Sequence, residues 1–260
     1  MTAAASFVKT GPGARAEAAG LRWIAVPGGP PVPRVLLVEE DRLVIERVPH
    51  GQPSQRAAVE FGRRLVTLHN AGAPAFGSPP PGGPVDAFIG RAPMRNVEGA
   101  EWAPWYVEHR VLPYLRHARD TGTLTAAESA VIERACERLD GVVGPTEPPA
   151  RLHGDLWSGN VIWAPDGAWL IDPAAHGGHR ETDLAMLMLF GCPYLSTIVT
   201  AYETAARDCG TPLAPGWRDR VPLHQLFPLL VHVVLFGRGY AAQALEAARA
   251  VIRLADVSSA

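Results

Sequence analysis

The sequence has almost no lysine: Lys9 is the one lysine among 24 basic residues, and all the others are arginines. Asparagine is nearly as rare, with only Asn70, Asn96 and Asn160 along 260 residues. A bias of this kind, together with abundant alanine, glycine and proline, is typical of genomic base composition rather than of function. A single lysine retained against that bias is therefore a candidate for a specific role.

Other absences restrict the class of protein. A formal net charge of −2 leaves no basic excess for binding nucleic acid. The three cysteines, Cys136, Cys192 and Cys209, are scattered without metal-ligand spacing, which favours a reducing environment. The N-terminus shows no signal-peptide pattern, and the most apolar window, residues 226–236, is too short to span a bilayer. We therefore expect a cytoplasmic, globular protein.

Hydrophobic periodicity divides the chain into two parts. Three short runs have strand composition, at residues 6–10, 35–38 and 43–48. A helix is predicted between the first two, over residues 14–25. The rest is mainly helical, apart from a Pro/Gly-rich stretch at 72–100, predicted as a long ordered loop, and short strands around residue 160. The expectation is an α+β, two-lobed fold, with a small β-rich N-lobe over residues 1–48 and a mostly helical C-lobe over 49–260.

The stretch RLHGDLWSGNVIW, residues 151–163, places polar side chains between two apolar runs. Asp155 follows His153 in an H-x-D motif, Asn160 comes five residues after Asp155, and Asp172 follows a further strand. Phosphoryl-transfer enzymes with an H-R-D-x-x-x-x-N motif and a later metal-binding Asp have this spacing. Such a reaction needs a carboxylate to accept the proton of the attacking hydroxyl, and amide and carboxylate oxygens suit Mg²⁺. The block therefore predicts phosphoryl transfer.

The same mechanism requires a cation for the nucleotide phosphates. Lys9 stands at the end of a predicted strand, and Glu17, on the following helix, is placed to pair with it. Each candidate also has a structural interpretation: Asp155, Asn160 and Asp172 as turn residues, Lys9 and Glu17 as surface charges. The combined spacing favours the catalytic interpretation for the block, and Glu17 is the weakest candidate.

Four neighbouring polar positions are not assigned to the catalytic chemistry. Asp183 is expected to cap the N-terminus of a helix. His153 is expected to form structural hydrogen bonds beside the catalytic loop rather than to act as a base. His176 and His179, in the HGGH segment, have no third metal ligand in reach along the sequence.

Four segments together resemble the fructosamine kinase (ketosamine-3-kinase) family, within the aminoglycoside-phosphotransferase and protein-kinase-like superfamily. They are LHGDLWSGNVIW, LIDPAAHGGHRETDLAM, PVDAFIGRAPMRN and LFGRGYAAQAL. The similarity runs from about Phe7 to about Leu254. H-G-D with an Asn five residues later is shared across the superfamily. The four residues between Asp155 and Asn160, LWSG, and the segment after Asp172 are more specific to ketosamine kinases.

The resemblance implies a role for each candidate. Asp155 would be the catalytic base, Asn160 and Asp172 would hold Mg²⁺, and Lys9 and Glu17 would form the lysine–glutamate pair. The resemblance also implies that Glu46 to Val48 form the hinge that meets the adenine of ATP, and that Trp157 forms a wall for the substrate. The implied reaction is ATP-dependent phosphorylation of a sugar hydroxyl on a small-molecule or protein-linked ketosamine, by a monomer.

The chain departs from the family pattern in two respects. Only six residues precede Phe7, and no G-x-x-x-x-G-K-[ST] loop is present, so the N-lobe is expected to be truncated and to lack its first two strands and its glycine-rich loop. Ala87, Val231 and Val234 also replace asparagines of the family pattern, which bears on the choice of sugar. Two alternatives therefore stay open: a pseudokinase or binding module, and a kinase of another small alcohol such as an aminoglycoside or choline.

Overall fold

The computed structural model describes residues 6–258, and its N-terminal part is a small antiparallel sheet packed on one helix. The elements are β1 (Ser6–Thr10), α1 (Ala14–Ile24), β2 (Val35–Val38) and β3 (Arg42–Glu46), and the strand order is β1-β3-β2. Leu43 and Ile45 alternate along β3 and are buried against Ala18 and Leu21 of α1, because successive strand side chains point to opposite faces. The predicted strands and helix are thus present, although the third strand ends at Glu46 rather than at residue 48.

The remainder is mainly helical and carries three small two-stranded sheets. The helices are α2 (Gln55–Asn70), α3 (Trp102–Tyr106), α4 (Leu112–Asp120), α5 (Ala126–Glu137), α6 (Arg180–Leu189), α7 (Leu195–Asp208), α8 (Val221–Phe236) and α9 (Ala241–Ser258), with a π-helical turn, Val107–Val111, between α3 and α4. The strands are β4 (Asp86–Ile89), β5 (Ala92–Arg95), β6 (Ala150–Leu152), β7 (Val161–Ala164), β8 (Gly167–Leu170) and β9 (His176–Gly178). Each pair, β4–β5, β6–β9 and β7–β8, is antiparallel.

Residues 72–100 are not the continuous loop that their Pro/Gly content predicts, because they contain the β4–β5 hairpin. Gly90, with φ of 56°, stands at the turn, where a positive φ favours glycine. The two strands are only four residues each, which is too short for an alternating pattern to stand out from the surrounding prolines. This correction concerns the site, because the hairpin forms one of its walls.

Two contacts organise the helical part. α8 is buried along most of its length in the main core cluster, where it packs on α9, α6 and α4. α2 packs closely on α7 at Gly62, where an added Cβ would lie 2.3 Å from the carbonyl oxygen of Ile198. Within residues 6–258, none of the helices combines the length and the apolar character needed to cross a membrane.

Candidate active site

The catalytic-loop candidate, residues 153–160, connects β6 to β7 and depends on one glycine. Gly154 has φ of 81°, and a Cβ at this position would lie 2.0 Å from the carbonyl oxygen of Ala174. A larger residue would therefore be strained and would clash with backbone. The loop ends in a short 3₁₀ turn, Ser158–Asn160, which brings Asn160 back beside Asp155.

Asp155 and Asn160 are in direct contact. The Asn160 Nδ2 donates to the Asp155 carbonyl at 2.8 Å and to its carboxylate Oδ2 at 2.9 Å. Burial raises the pKa of Asp155 to about 7, helped by the nearby carboxylates of Asp172 and Asp183 and opposed by the Asn160 hydrogen bond. A carboxyl group whose pKa lies near neutrality is suited to accept a proton from a hydroxyl.

His153 and Asp183 hold the catalytic-loop candidate in place through hydrogen bonds to its backbone. Asp183 is fully buried and accepts hydrogen bonds from the backbone N–H of His153 at 2.7 Å and of Gly154 at 3.0 Å. The Nε2 of His153 lies 2.9 Å from the Ile171 carbonyl, and its Nδ1 accepts the Asp155 N–H at 3.2 Å. Since the Ile171 carbonyl can only accept, His153 carries its proton on Nε2, and burial lowers its pKa. His153 therefore orients the loop, as its sequence context predicts.

The expectation that Asp183 caps a helix is wrong. His179 is the N-cap of α6, and its Nδ1 accepts the Glu181 N–H, whereas Asp183 lies within the helix and points back to the catalytic loop. His69 Nε2 also contacts Asp183, at 3.2 Å. Sequence reasoning missed this scaffolding role; the one visible signal is that Asp183 directly precedes an apolar run, residues 184–189, in α6.

Asp172 comes after β8 and joins the two parts of the chain. Its φ of 55° turns the chain, and the Ile171 N–H donates to the Asn160 carbonyl at 3.1 Å, which places Asp172 beside Asn160. Lys9 contacts the Asp172 carboxylate and also Glu17 Oε1, the latter at 2.7 Å. The Lys9–Glu17 pair expected from the sequence is thus present, and both residues lie within reach of the catalytic loop.

The donors around Asn160 fit a hard divalent cation. Because the Asn160 Nδ2 is engaged by Asp155, its Oδ1 remains as a ligand atom, and the carboxylate of Asp172 stands next to it. Burial raises the pKa of Glu17 despite the lowering effect of Lys9, and the neighbouring Asp172 charge acts in the same direction as burial. A concentration of carboxylates of this kind favours binding of a cation.

A second group of possible metal donors, His179, Glu181 and His224, lies buried behind the loop. Both carboxylate oxygens of Glu181 are held by Arg220, at 3.0 and 2.6 Å. Burial raises the pKa of Glu181, but the hydrogen bonds from His224 and Arg220 outweigh it and lower that pKa to about 2. The group is accordingly interpreted as a structural ion pair.

The catalytic-loop candidate opens into a cavity of about 290 Å³. Asp155, Asn160, Asp172, Glu17 and Trp157 line it, together with apolar residues of the β4–β5 hairpin and of α8. The ring of Trp157 folds over Gly159, where a Cβ would lie 2.1 Å from it, and meets Phe190 edge-on at 6.2 Å.

The two hinge candidates lie elsewhere. Glu46 pairs with Arg34 at 3.1 Å, Val48 is buried, and neither lines this cavity. Apart from Lys9, they are the only site residues predicted from the sequence that are absent from its walls.

Comparison with known proteins places the whole described architecture in one family. The sequence model of the fructosamine kinase family matches residues 7–253. A protein from Synechocystis named "Probable ketoamine kinase" is 33% identical over 245 residues, which cover 92% of this chain and 79% of that protein. An Escherichia coli protein with the same description is 32% identical over 231 residues, covering 87% of this chain and 76% of that one.

Solved structures agree with the fold expected from the sequence. A crystal structure titled "putative fructosamine-3-kinase", from Thermobifida fusca, is 48% identical with a TM-score of 0.88, covering 95% of this chain and 85% of that chain. An aminoglycoside phosphotransferase, APH(4)-Ia, in a ternary complex with AMP-PNP and hygromycin B, has a TM-score of 0.60 at 16% identity, covering 95% and 83% of the two chains. At that identity the likeness concerns the fold alone, and it confirms the kinase-like α+β architecture with a small β-containing N-lobe and a helical C-lobe.

Proposed function

The chain belongs to the fructosamine kinase family and is a phosphotransferase with an alcohol acceptor, and on that premise we propose that it phosphorylates a sugar hydroxyl of a ketosamine, a sugar carried on an amine. Membership of this family implies that ATP is the phosphoryl donor. The observation that carries the proposal is the meeting of Asp155, Asn160 and Asp172 at one cavity, with Lys9 bridging Glu17 and Asp172. The same comparisons give no support to a binding module or to a kinase of another alcohol.

In this proposal Asp155 accepts a hydrogen bond from the attacking hydroxyl, orients it, and takes its proton as the new phosphorus–oxygen bond forms. The bond between the γ-phosphorus and the bridging oxygen of ATP breaks in the same step, and ADP leaves with that oxygen. Lys9, held by Glu17, contributes positive charge for the phosphates of ATP. Asn160 and Asp172 would hold a magnesium ion, which when bound supplies positive charge against the phosphate oxygens. Asp183 and His153 keep the catalytic loop in position and touch neither reactant.

Trp157 is proposed to form the wall against which the sugar packs, because its ring lines the cavity next to Asp155 and is 36% exposed. Residues 46–48 remain the proposed adenine-binding segment, which would act through its backbone. We further propose that the enzyme works as a monomer in the cytoplasm, and that it does not bind nucleic acid, since its net charge of −2 leaves no basic excess.

The test is a direct assay of purified protein with MgATP and a panel of ketosamines that vary in sugar and amine. Product is identified by mass spectrometry, and ADP release gives the rate. Asp155→Asn should lower turnover by about 10²- to 10⁴-fold. Asp166→Asn provides the matched control: it is the same chemical change in the β7–β8 turn, where Asp166 accepts a hydrogen bond from Trp169 Nε1.

A phosphorylated ketosamine formed at similar rates by wild type and by Asp166→Asn, and about 10²- to 10⁴-fold more slowly by Asp155→Asn, would support the proposal. If wild type bound ligands, as judged by thermal stabilisation, but turned over no member of the panel, a binding module would replace it. Turnover of an aminoglycoside or choline at higher kcat/KM than any ketosamine would instead indicate a kinase of another alcohol.

A further inference from the structure

Asn96 is a buried polar side chain of the cavity that the proposed mechanism does not use. It follows β5, is 2% exposed, and lines the cavity with Asp155 and Trp157. Its Oδ1 accepts a hydrogen bond from Arg110 Nη2 at 2.8 Å. Its Nδ2 is buried and has no hydrogen-bond partner among residues 6–258. A buried donor without a partner is costly, so it points to an acceptor that arrives from outside the protein.

Arg110 determines which way the Asn96 amide faces. A guanidinium only donates hydrogen bonds, so the amide must turn its oxygen to Arg110 and its nitrogen away from it. Arg110 is itself immobilised: it is 1% exposed, donates to the Arg95 carbonyl at 2.9 Å and stacks on the Trp105 ring at 4.6 Å. The Asn96 donor is therefore aimed before any ligand binds.

The free-energy cost of burying the Arg110 charge indicates that the orientation of the Asn96 amide has a function. No carboxylate of residues 6–258 forms an ion pair with it, and burial lowers its pKa to about 10. A buried cation without a counter-charge is expensive. The arrangement is explained if the cation serves to fix, and to polarise, the neighbouring amide.

The surroundings of Asn96 indicate what it recognises. The wall beside it is mainly apolar and is formed by Ala87 and Ile89 of the β4–β5 hairpin and by Val231 and Leu235 of α8. His232 of α8 also lines the cavity, but its Nδ1 donates to the Pro228 carbonyl at 2.7 Å and offers no free donor. The residues proposed to hold the metal, Asn160 and Asp172, and Glu17, which pairs with the phosphate-binding candidate Lys9, belong to other elements, the segments around β7 and β8 and helix α1. A single oriented donor in an apolar wall is typical of a contact that fixes the orientation of a small ligand.

We propose that Asn96 Nδ2 donates a hydrogen bond to a hydroxyl oxygen of the sugar and so determines which hydroxyl lies over Asp155, with Arg110 as the positioning residue. This inference rests on the proposed function. It makes Asn96 a specificity determinant: a sugar that lacks the matching oxygen leaves the buried donor without a partner and is rejected, since sites built to hydrogen-bond a hydroxyl discriminate strongly against analogues without it.

Asn96→Asp is the decisive variant because it removes the donor without changing the shape of the side chain, and Arg110 offsets the charge that it adds. The carboxylate has the shape of the amide and still accepts from Arg110, so the fold should be kept, but it cannot donate to the sugar. We expect kcat/KM for the best ketosamine to fall about 100-fold, with KM for ATP and the melting temperature at or above wild-type values. Asn70→Asp is the matched control, because Asn70 is exposed and bonds to Thr211 away from the cavity.

Monodeoxy analogues of the sugar identify the contact. With wild type, one analogue should have a kcat/KM lower than that of the parent ketosamine by about the factor that Asn96→Asp causes. With Asn96→Asp, the same analogue and the parent ketosamine should have equal kcat/KM. Arg110→Met should raise KM for the ketosamine and not for ATP, because the amide is then free to turn. Equal kinetics in wild type and Asn96→Asp, or equal losses with every analogue, would overturn the inference.

Binding measured without ATP separates this inference from the proposed function. Thermal stabilisation by the ketosamine alone should be present in wild type and in Asn70→Asp and absent in Asn96→Asp. If wild type fails to phosphorylate any ketosamine, the proposed function fails. If it phosphorylates one and Asn96→Asp does so equally well, only the role of Asn96 is refuted.

Discussion

Replacing Asp155 with asparagine separates what its buried carboxylate costs the stability of the fold from its proposed role as the catalytic base. The pKa of Asp155 is raised from an ordinary 3.8 to about 7, first by burial and then by Asp172 and Asp183. The folded state therefore binds a proton more tightly than the unfolded state does. Ionised Asp155 opposes folding as the pH rises from below 3.8 through 7, and the full cost is reached above pH 7.

One pKa unit corresponds to about 1.4 kcal/mol, and water reaches part of this side chain, so we expect about 2 kcal/mol of destabilisation at pH 8. Asparagine carries no charge and has the same shape. Asp155→Asn should consequently raise the free energy of unfolding by about 2 kcal/mol at pH 8, or the melting temperature by about 4–8 °C. The gain should be smaller at pH 5.5, because wild-type Asp155 is then protonated in the folded state.

The same variant should lose about 10²- to 10⁴-fold in kcat, the usual contribution of a positioned base. Differential scanning fluorimetry from pH 5.5 to 8.5 measures the stability, and coupled detection of ADP measures the rate, with Asp166→Asn as the matched control. A melting temperature that does not rise, or a rise that is independent of pH, would refute the conclusion that burial of the Asp155 carboxylate raises its pKa and destabilises the fold. Retained turnover would refute its catalytic role.

Three further substitutions test other parts of the structure. Lys9→Met should lower kcat/KM for ATP by about 10²- to 10³-fold and leave KM for the ketosamine unchanged; steady-state kinetics with normal ATP dependence would contradict its phosphate role. Glu181→Gln should lower the free energy of unfolding, measured by urea denaturation, by about 3–5 kcal/mol, because Arg220 is left buried without its counter-charge. Since the pKa of Glu181 is lowered to about 2, this loss should be constant from pH 6 to 8 and shrink only in acid; a loss that varied between pH 6 and 8 would count against the ion pair. Gly62→Ala should cost about 1–3 kcal/mol by crowding a carbonyl of α7, whereas Gly141→Ala, with open space around it, should cost little in the same titration; equal losses would exclude the packing argument.

Much of the site could be predicted because the catalytic loop is local in sequence. Asp155 and Asn160 are five residues apart, and a 3₁₀ turn suffices to bring them together. Lys9 could be singled out because it is the one lysine in the chain, and its pairing with Glu17 needs only a strand, a turn and a helix. Residue type and short spacing were enough for these assignments.

The β4–β5 hairpin and the role of Asp183 could not be predicted in the same way. The hairpin strands are four residues each and are stabilised by packing on elements far along the chain. Asp183 lies 29 residues from Gly154, whose N–H it accepts, and a carboxylate in a helix has no local mark of that distant partner. The wrong assignment of Asp183 as a helix cap follows from judging it by its neighbours alone.

The sequence by itself determined the reaction class, because H-x-D with an asparagine five residues later is a chemical requirement expressed over a short distance. The roles of Asp155 and Asn160 in that reaction stay predictions. Only the tertiary structure decided the pKa of Asp155 and the orientation of the Asn96 amide. Burial beside Asp172 and Asp183 raises the pKa of Asp155, and the packing of Arg110 on Trp105 turns the Asn96 amide so that its donor has no partner in the protein. Burial and orientation are properties of residues brought together from distant segments, so no local pattern contains them.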